Sequence, residues 1–556
     1  MVLEPEAPSP AKGREYSDKH DETIITNPHN PTSTTKAIFP DLAPTHSFSS
    51  NTTPAPPTPD DSLGHLFFSF FHHVHTLLKI ILLFLNYFLA QYDKFILSYF
   101  QSSVLSSLSL TSTQYATLSG YSTGIVYAIL AIPIAYLADW TTARAKILAG
   151  LALWWSLCVL FQGLSHRFWQ MLLARIGMGI GQAGVEALSV SLISDLVGWR
   201  NVFLGESVFY VGVYVGEAVS GQIATAFTAT GTSWQVAMRA VGITGMVIAV
   251  LILLVVREPD RQASLVEGLQ ERGEEVLVRR NRELKFRDFL ALGKEFKVAL
   301  HYVMHLRSFW LLVLSAAFRQ LGGNVFGYYM PSYLADTYPS QKNLLSNYGI
   351  IVGVVGSFSV LAGGLLTSIF WKRTKLTPIY LTAIGGMISS VFVLLMLFSK
   401  DIAHGNEAKG VKILYGTMCA AYLTAETWLG ALFGLVASLL PPAYKTFGLA
   451  IWSTVQALIY SSGPEIIGLA LRKTDPESEE YTKATQVALA VIITIGYWIA
   501  GIGLLMAAPL VKRDFEIPEP YLGQLSRRRL LSFYCVGSVI LGMVAILFVV
   551  SIVFDA

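Results

Sequence analysis

Long apolar segments recur along this chain from residue 77 almost to the C-terminus, and they limit its possible folds more than any other feature. One of them, 240–256, holds no charged residue. A helix needs about 20 mostly apolar residues to cross ~30 Å of hydrocarbon, because it rises ~1.5 Å per residue. A dozen such segments in one chain predict an all-α polytopic membrane protein.

The composition agrees with a membrane protein and excludes several other classes. Hydrophobic residues make up 53% and charged residues 14%, against about 25% charged in soluble proteins. A net charge of +3 is too small to indicate a nucleic-acid partner. The sequence shows no nucleophile–base pair, nucleotide-binding loop or metal-ligand spacing, so we expect neither an enzyme nor a cofactor. Because no ATP-binding motif is present, a concentration gradient must supply the energy for any transport across the membrane.

Twelve spans are predicted, followed by one further apolar run. The spans lie at 77–99, 115–138, 147–163, 170–196, 202–227, 236–256, 309–336, 346–370, 377–398, 411–440, 446–471 and 485–510. The run 530–554 has no charged residue and is long enough to be a thirteenth transmembrane helix. An interfacial or re-entrant helix is the alternative for this last run.

The spans fall into two groups of six, and polar segments separate them. Residues 1–62 are rich in Pro, Ser, Thr and Asn and are predicted to be a disordered tail. We expect a first six-helix bundle at 63–256, a connector at 257–307, a second bundle at 308–515, and a linker with the thirteenth helix at 516–556. Two six-helix halves joined by a charged connector are typical of transporters built from related repeats.

The distribution of basic residues predicts the orientation. Lys and Arg concentrate in alternate loops and above all in the connector, which places the N-terminus and the connector in the cytoplasm. The loops 400–412 and 472–483 also hold basic residues, so the rule is followed imperfectly. Both the plasma membrane and an endolysosomal membrane fit this topology.

Several motifs resemble those of a known transporter family. The loop after the second span keeps Asp139 and Arg144 of the signature G-x-L-x-D-R-x-x-R-[RK]. The fourth span reads Arg175-x-Gly-x-Gly-x-Gly-Gln182-Ala and then continues with L-I-S-D-L, while the sixth ends in V-V-R-E-P. Residues 77–515 thereby resemble the Spinster branch of the major facilitator superfamily. The resemblance implies the major facilitator fold and a carrier of lysophospholipids, sphingoid lipids or related amphiphiles, often coupled to protons.

The fourth span carries the first group of candidate site residues. A charge at bilayer depth costs about 2.5–3.5 kcal/mol on insertion scales, so it tends to face a cavity or a partner. Arg175 is either a fixed cation for a lipid phosphate or one member of a structural ion pair. Gln182 stands where the family pattern has Glu and cannot carry a proton. Glu186, one turn further on, either takes over titration or belongs to a structural pair; if coupling is lost, the protein is a facilitator.

Further buried charges lie in other spans. Asp93 aligns with the acid of the family's Y-x-D-R and is the first candidate for a proton site; a neutralised pair with Lys94 is the alternative. Glu217 replaces a small residue of the family pattern and is expected in the cavity. Arg319 and Glu426 are expected either to line the cavity or to form a structural ion pair.

Asp139, Arg144 and Asp195 are predicted to form a cytoplasmic latch. The superfamily signature implies charged contacts that hold one face closed and break on opening. Trp140 stands where that signature has Arg. A simple pairing of Asp195 with a loop cation is the alternative.

The leading interpretation is a secondary active transporter that works by alternating access on an amphiphilic lipid; proton coupling stays open. Its partners are then the bilayer, a lipid-like or other small-molecule substrate, and protons. Two alternatives remain open: a carrier of a small organic ion or metabolite, and a non-transporting receptor or scaffold that retains the fold.

Overall fold

The computed structural model describes most of the chain from 59 to 516, with its widest gaps at 260–277 and 280–299, and a few residues outside that range. The described residues are 42–43, 59–141, 143–197, 202–259, 278–279, 300, 303–304, 306–341, 343–440, 445–472, 474, 478–516, 538 and 542–546. Leu42–Ala43 and Val278–Arg279 form a two-stranded antiparallel ladder with Leu42 opposite Arg279. This ladder joins a piece of the predicted tail to a piece of the predicted connector.

The other described elements are helical. In the first half they are Pro59–Tyr99, Gln101–Leu108, Ser112–Ser119, Tyr121–Trp140, Arg144–Gln162, Phe168–Gln182, Val185–Val197, Val202–Thr230 and Trp234–Val255. In the second half they are Arg307–Thr337, Leu344–Ile351, the π-helix Val352–Gly356, Ser357–Phe370, Thr377–Leu397, Ser399–Ile402, Glu407–Ala425, Leu429–Leu439, Lys445–Tyr460, Ser462–Leu471 and Glu479–Glu516.

Within the described residues, 11 segments are long and apolar enough to cross a membrane. We number them span 1 (Val74–Tyr99), 2 (Thr113–Asp139), 3 (Arg144–Gln162), 4 (Phe168–Val197), 5 (Val202–Thr230), 6 (Trp234–Val255), 7 (Arg307–Thr337), 8 (Leu344–Phe370), 9 (Thr377–Leu397), 10 (Glu407–Leu439) and 12 (Glu479–Phe515). Span 11 is the pair Lys445–Tyr460 and Ser462–Leu471, where the sequence predicts one continuous helix. The predicted thirteenth helix lies mostly outside the described residues; 538 and 542–546 are helical.

The two halves repeat the same packing. Spans 1 and 5, 2 and 4, and 3 and 6 pack together in the first half. Spans 7 and 11, 8 and 10, and 9 and 12 do so in the second half. Between the halves, span 2 packs against span 11 and span 5 against span 8. This symmetric arrangement confirms the all-helical membrane fold that the sequence predicts.

Two glycines allow span 4 to approach its neighbours closely. A Cβ atom on Gly179 would lie 2.8 Å from the Thr123 carbonyl oxygen of span 2. A Cβ atom on Gly181 would lie 2.6 Å from Cβ of Trp155 in span 3. Small residues permit such close backbone contact between membrane helices. The glycine pattern thus holds Arg175, on the same helix, against spans 2 and 3.

Four spans next to the interface between the halves are interrupted. The breaks fall at Gly120 in span 2, at 183–184 in span 4, at 426–428 in span 10 and at Ser461 in span 11. Non-helical backbone at membrane depth is tolerated only where protein or a cavity satisfies the freed polar groups. The breaks therefore require hydrogen-bonding partners from neighbouring spans.

Span 11 shows how one break is satisfied. Pro464 has no N–H, so the Tyr460 carbonyl, four residues earlier, loses its helical donor. The amide nitrogen of Asn324 in span 7 donates to that carbonyl oxygen over 3.2 Å. A side chain of one span thus completes the backbone of another.

We predict that Asn324→Ala lowers the free energy of unfolding by about 1–3 kcal/mol, because the Tyr460 carbonyl is left unpaired in a buried site. In a Pro464→Ala background the backbone N–H returns, and the same Asn324→Ala change should cost less. Thermal unfolding of the four purified variants measures this double-mutant cycle. Equal losses in both backgrounds would contradict the assigned role of Asn324.

Candidate functional site

A cavity of ≈ 180 Å³ lies between the two halves. Spans 1, 2, 4 and 5 line it from the first half, and spans 7, 9, 10, 11 and 12 from the second. Six of the seven predicted substrate or proton-coupling residues line this cavity: Arg175, Gln182, Glu186, Glu217, Arg319 and Glu426. The seventh, Asp93, is buried behind it. The structure thus brings residues from distant parts of the sequence into one site.

Arg175 is fully buried and completes the broken backbone of span 2. Its Nε donates to the Leu118 carbonyl over 2.6 Å, and Nη1 donates to Oε1 of Gln162 over 3.2 Å. Leu118 lies near the end of Ser112–Ser119, where helix carbonyls lack intrahelical donors and carry partial negative charge. Nη2 of Arg175 makes no hydrogen bond of good geometry among the described residues, although the Tyr328 side chain lies beside the guanidinium. The guanidinium is therefore fixed in place with one donor group unused.

Arg319 performs the same task in the second half. Its Nη2 donates over 2.9 Å to the carbonyl of Ala425, the last residue of a helix in span 10. The same nitrogen lies 3.5 Å from Oε1 of Glu426. The guanidinium also lies 3.9 Å from the ring centroid of Tyr497. Arg319 and Glu426 are thus an ion pair that also lines the cavity, so the two predicted alternatives coexist.

Glu186 connects three spans at the cavity wall. Tyr87 donates to Oε1 over 3.4 Å and Tyr210 over 3.2 Å, while Ser453 of the second half donates to Oε2 over 2.8 Å. Glu186 lies in the first turn of Val185–Val197, where a carboxylate is favoured by the helix dipole. Gln182 lines the same cavity although the helix breaks between them.

Asp93 is fully buried, and its carboxylate oxygens have no hydrogen-bond partner among the described residues. The charge of Arg175 acts on this carboxylate, and Gln162 lies beside it. Asp93 and Lys94 form no ion pair in the structure, so this alternative is wrong. The two side chains point ~100° apart, as neighbouring residues of a helix do. Lys94 instead lines the cavity, with Nζ 4.9 Å from the ring centroid of Tyr460.

Glu217 and Glu426 accept hydrogen bonds from tyrosines of the opposite half. Tyr348 of span 8 donates to Oε1 of Glu217 over 3.0 Å. Tyr214 of span 5 donates to Oε2 of Glu426 over 2.7 Å. The cavity therefore combines three carboxylates with three basic groups, Lys94, Arg175 and Arg319.

The sequence interpretation did not place Lys94 in the cavity, and it did not identify the tyrosines that donate hydrogen bonds to the carboxylates. Lys94 had a usable signal, since it lies seven residues after Tyr87 and three after Gln91 and so shares their helical face. Tyr210 and Tyr348 had none, because only the tertiary fold brings them to Glu186 and Glu217.

The predicted latch residues cluster at one end of the cavity. Arg144 donates to Asp195 over 2.8 Å and to Glu258 over 2.5 Å. From the second half, Lys445 lies 4.0 Å from Asp195. The backbone N–H of Phe447 donates to Asp139 over 2.8 Å. We call Asp139, Arg144, Asp195, Glu258 and Lys445 the latch cluster, because it joins the two halves at this end.

The halves also meet at the other end of the cavity. Tyr121 of span 2 donates to Oγ of Ser462 in span 11 over 3.2 Å. The side-chain amide of Gln222 in span 5 exchanges two hydrogen bonds of 2.8 Å with Ser346 in span 8. The cavity therefore has contacts between the halves at both of its ends.

Removing the central cation of the latch cluster should open its end of the protein. We predict that Arg144→Ala increases labelling of an Ala90→Cys reporter in the cavity by a polar maleimide several-fold, because Asp195 and Glu258 lose their partner. The reporter is introduced after the native cysteines are replaced. Lys146→Ala, which removes an exposed charge two residues away, serves as the control. Equal labelling in the Arg144→Ala and Lys146→Ala proteins would contradict the latch.

Comparisons with known proteins agree with this architecture. The sequence model of the Major Facilitator Superfamily matches residues 83–464. The sphingosine-1-phosphate transporter SPNS2 of Danio rerio is 25% identical over 48% of this chain, and the match spans only 52% of that relative's length. An MFS-type efflux pump of Mycolicibacterium smegmatis is 21% identical over 73% of this chain and 88% of its own.

Two kinds of solved structure share the fold. A bacterial homologue of the human lysosomal transporter Spinster, inward-facing and unoccupied, superposes with a TM-score of 0.54 at 19% identity, covering 80% of this chain and 97% of its own. The proton:xylose symporter XylE superposes with a TM-score of 0.56 at 16% identity, covering 80% and 96%. The family match and the shared fold lead to one conclusion: this chain is a multi-pass membrane transporter of the Major Facilitator Superfamily rather than an enzyme, and it is similar to Spinster proteins.

Proposed function

We propose that this secondary transporter carries a lysophospholipid, a sphingoid lipid or a similar anionic amphiphile, coupled to protons, by alternating access. The observation that carries the proposal is Arg175: a fully buried guanidinium, fixed by Leu118 and Gln162, with Nη2 left without a hydrogen bond of good geometry at the wall of a shared cavity. A permanent cation with a free donor suits a phosphate, which guanidinium groups bind through several hydrogen bonds.

In this proposal, the size of the cavity limits which part of the substrate it holds. Pockets for drug-sized ligands measure about 300–1,000 Å³, whereas the cavity here has ≈ 180 Å³. Such a space holds a headgroup while the ends are closed, and the acyl chain needs the halves to separate. Tyr328 and Phe433 supply aromatic surface for the first carbons of the acyl chain.

Asp93 and Glu186 are the proposed proton sites. Asp93 lies within the electrostatic influence of Arg175. A phosphate that binds Arg175 competes for that positive charge, so Asp93 then holds a proton more readily. Glu186 takes hydrogen bonds from both halves, through Tyr210 and Ser453, so its protonation changes a contact that separation must break. Substrate binding and proton binding are thereby linked at one site.

The latch cluster is the proposed element that alternates. Its charged contacts hold one end closed, and their rupture would open the cavity at that end. Because successive spans run in opposite directions, Lys372, Lys445 and Lys512 lie on the same side of the membrane as Arg144. An excess of basic residues supports assigning this end, with the N-terminus, to the cytoplasm.

A carrier of a small organic ion or metabolite is the second candidate. The small cavity and the shared fold with a xylose symporter favour it. The uptake experiment below distinguishes a lipid carrier from a metabolite carrier, because a carrier of polar metabolites does not transport a molecule with an acyl chain. A receptor or scaffold without transport has no observation in its favour, and the retained buried charges count against it because each is costly at bilayer depth.

Uptake of oleoyl-lysophosphatidic acid and of a sphingoid phosphate into proteoliposomes tests the proposal. We predict that an inward proton gradient stimulates uptake by the unmodified protein. Arg175→Ala should reduce uptake at least about tenfold, because removing one partner of a buried charge contact costs more than 1.4 kcal/mol. Lys146→Ala is the control for loss of a charge outside the cavity.

The two carboxylates should affect coupling rather than binding. We predict that Asp93→Asn and Glu186→Gln abolish stimulation by the gradient while exchange of lipid at equal pH continues, because neither amide can carry a proton. Counterflow and gradient-driven uptake are measured on the same vesicles. Full stimulation in both variants would refute the proton sites, and an absence of lipid uptake by the unmodified protein would refute the lipid assignment.

A further inference from the structure

One end of the cavity contains a carboxylate surrounded by aromatic rings. The rings of Tyr99 and Tyr348 lie 6.3 Å apart, those of Phe326 and Tyr348 6.4 Å, and those of Phe326 and Tyr422 5.9 Å, measured between centroids. Glu217 lies among these rings: it accepts a hydrogen bond from Tyr348, and its charge acts on Tyr99 and Tyr422. We call Glu217, Tyr99, Phe326, Tyr348 and Tyr422 the Glu217 box.

Glu217 is satisfied less completely than the other two carboxylates of the cavity. Glu186 accepts from three hydroxyl groups. Glu426 accepts from a tyrosine, a tryptophan and Arg319. Among the described residues, Glu217 accepts only from Tyr348, at Oε1. An ionised carboxylate has about four acceptor positions, so Glu217 retains most of its capacity.

The charge of Glu217 also lacks an ion-pair partner. Its side chain is buried, at 4% exposure, and no basic group of the described chain lies within ion-pair distance. Glu426, a second negative charge, acts on it from across the cavity. Lys94 attracts it, but its Nζ lies over the ring of Tyr460. A buried charge in this position costs several kcal/mol unless a cation accompanies it.

We propose that the Glu217 box binds the ammonium group of the transported molecule. An ammonium supplies the missing charge and the missing donors to Oε2, and a methylated one is equally suited to aromatic faces through cation–π attraction. The inference rests on the cavity being the transport site proposed above. It adds that the preferred substrate is a zwitterion, with its anion at Arg175 and its ammonium at Glu217.

Competition between two lipids with the same acyl chain tests the proposal. Oleoyl-lysophosphatidylethanolamine carries an ammonium, whereas oleoyl-lysophosphatidic acid does not. We expect the unmodified protein to prefer the ethanolamine lipid at least about tenfold, and Glu217→Gln to lower uptake of the ethanolamine lipid more than uptake of the lysophosphatidic acid, so that the preference is lost. Glu206→Gln is the matched control, because Glu206 is also a buried carboxylate of span 5 but does not line the cavity. No preference in the unmodified protein, or its survival in Glu217→Gln, would overturn the proposal.

A binding measurement separates this inference from the transport proposal. Binding of radiolabelled tetramethylammonium to the purified protein needs no lipid uptake. We expect binding that weakens at least about tenfold in Glu217→Gln, recovers partly in Glu217→Asp, and is unchanged in Glu206→Gln. Phe326→Leu, which removes a ring without changing charge, should weaken it several-fold. If neither lipid is taken up but tetramethylammonium binds in this pattern, the lipid assignment fails and the ammonium site stands. Absence of binding, or equal binding in Glu217→Gln, refutes the site.

Discussion

Hydrocarbon offers no partner to a charge or to an unpaired backbone group, and the site depends on this constraint. Both buried arginines of the cavity lie where a membrane helix is interrupted. Arg175 donates to a carbonyl near the end of the first segment of span 2, and Arg319 donates to the terminal carbonyl of a segment of span 10. At these two breaks a cation completes the backbone and the break fixes the cation, whereas the neutral Asn324 serves the break in span 11. This mutual requirement keeps expensive charges rigidly placed at the centre of the membrane.

The same constraint ties the two halves together. Glu186 relies on Ser453, Glu217 on Tyr348, and Glu426 on Tyr214, and in each pair the partners belong to different halves. When the halves separate, these carboxylates lose their hydrogen-bond donors and need water, protons or substrate as new partners. An arrangement of this kind favours two discrete states over gradual deformation, because the partial loss of a buried contact is costly. This sharing of polar groups is the physical basis of the alternating access that we propose.

The sequence predicted the parts of the fold that depend on local composition. Apolar length located the spans. Motif residues predicted the latch: the structure places Arg144 2.8 Å from Asp195, and the opening and closing of the latch stay a prediction. The break in span 11 was not predicted, although Pro464 marked it, because its partner Asn324 lies far away in the sequence. The direction in which Lys94 points and the positions of the tyrosines around Glu217 depend on tertiary packing. Helical periodicity alone does not determine this packing. Gln182 lines the cavity and contributes no charge, and its role in substrate or proton coupling stays a prediction.

The central claim is that the halves rock about the cavity, so that one end opens as the other closes. Distances between spin labels test it most directly, with one pair at Lys146 and Arg513 near the latch cluster and another at Thr230 and Lys409 at the opposite end, all exposed sites. The account predicts that oleoyl-lysophosphatidylethanolamine changes the two distances in opposite directions, and that Arg144→Ala lengthens the latch-end distance without lipid. Two distances that stay constant, or that lengthen together, would contradict it.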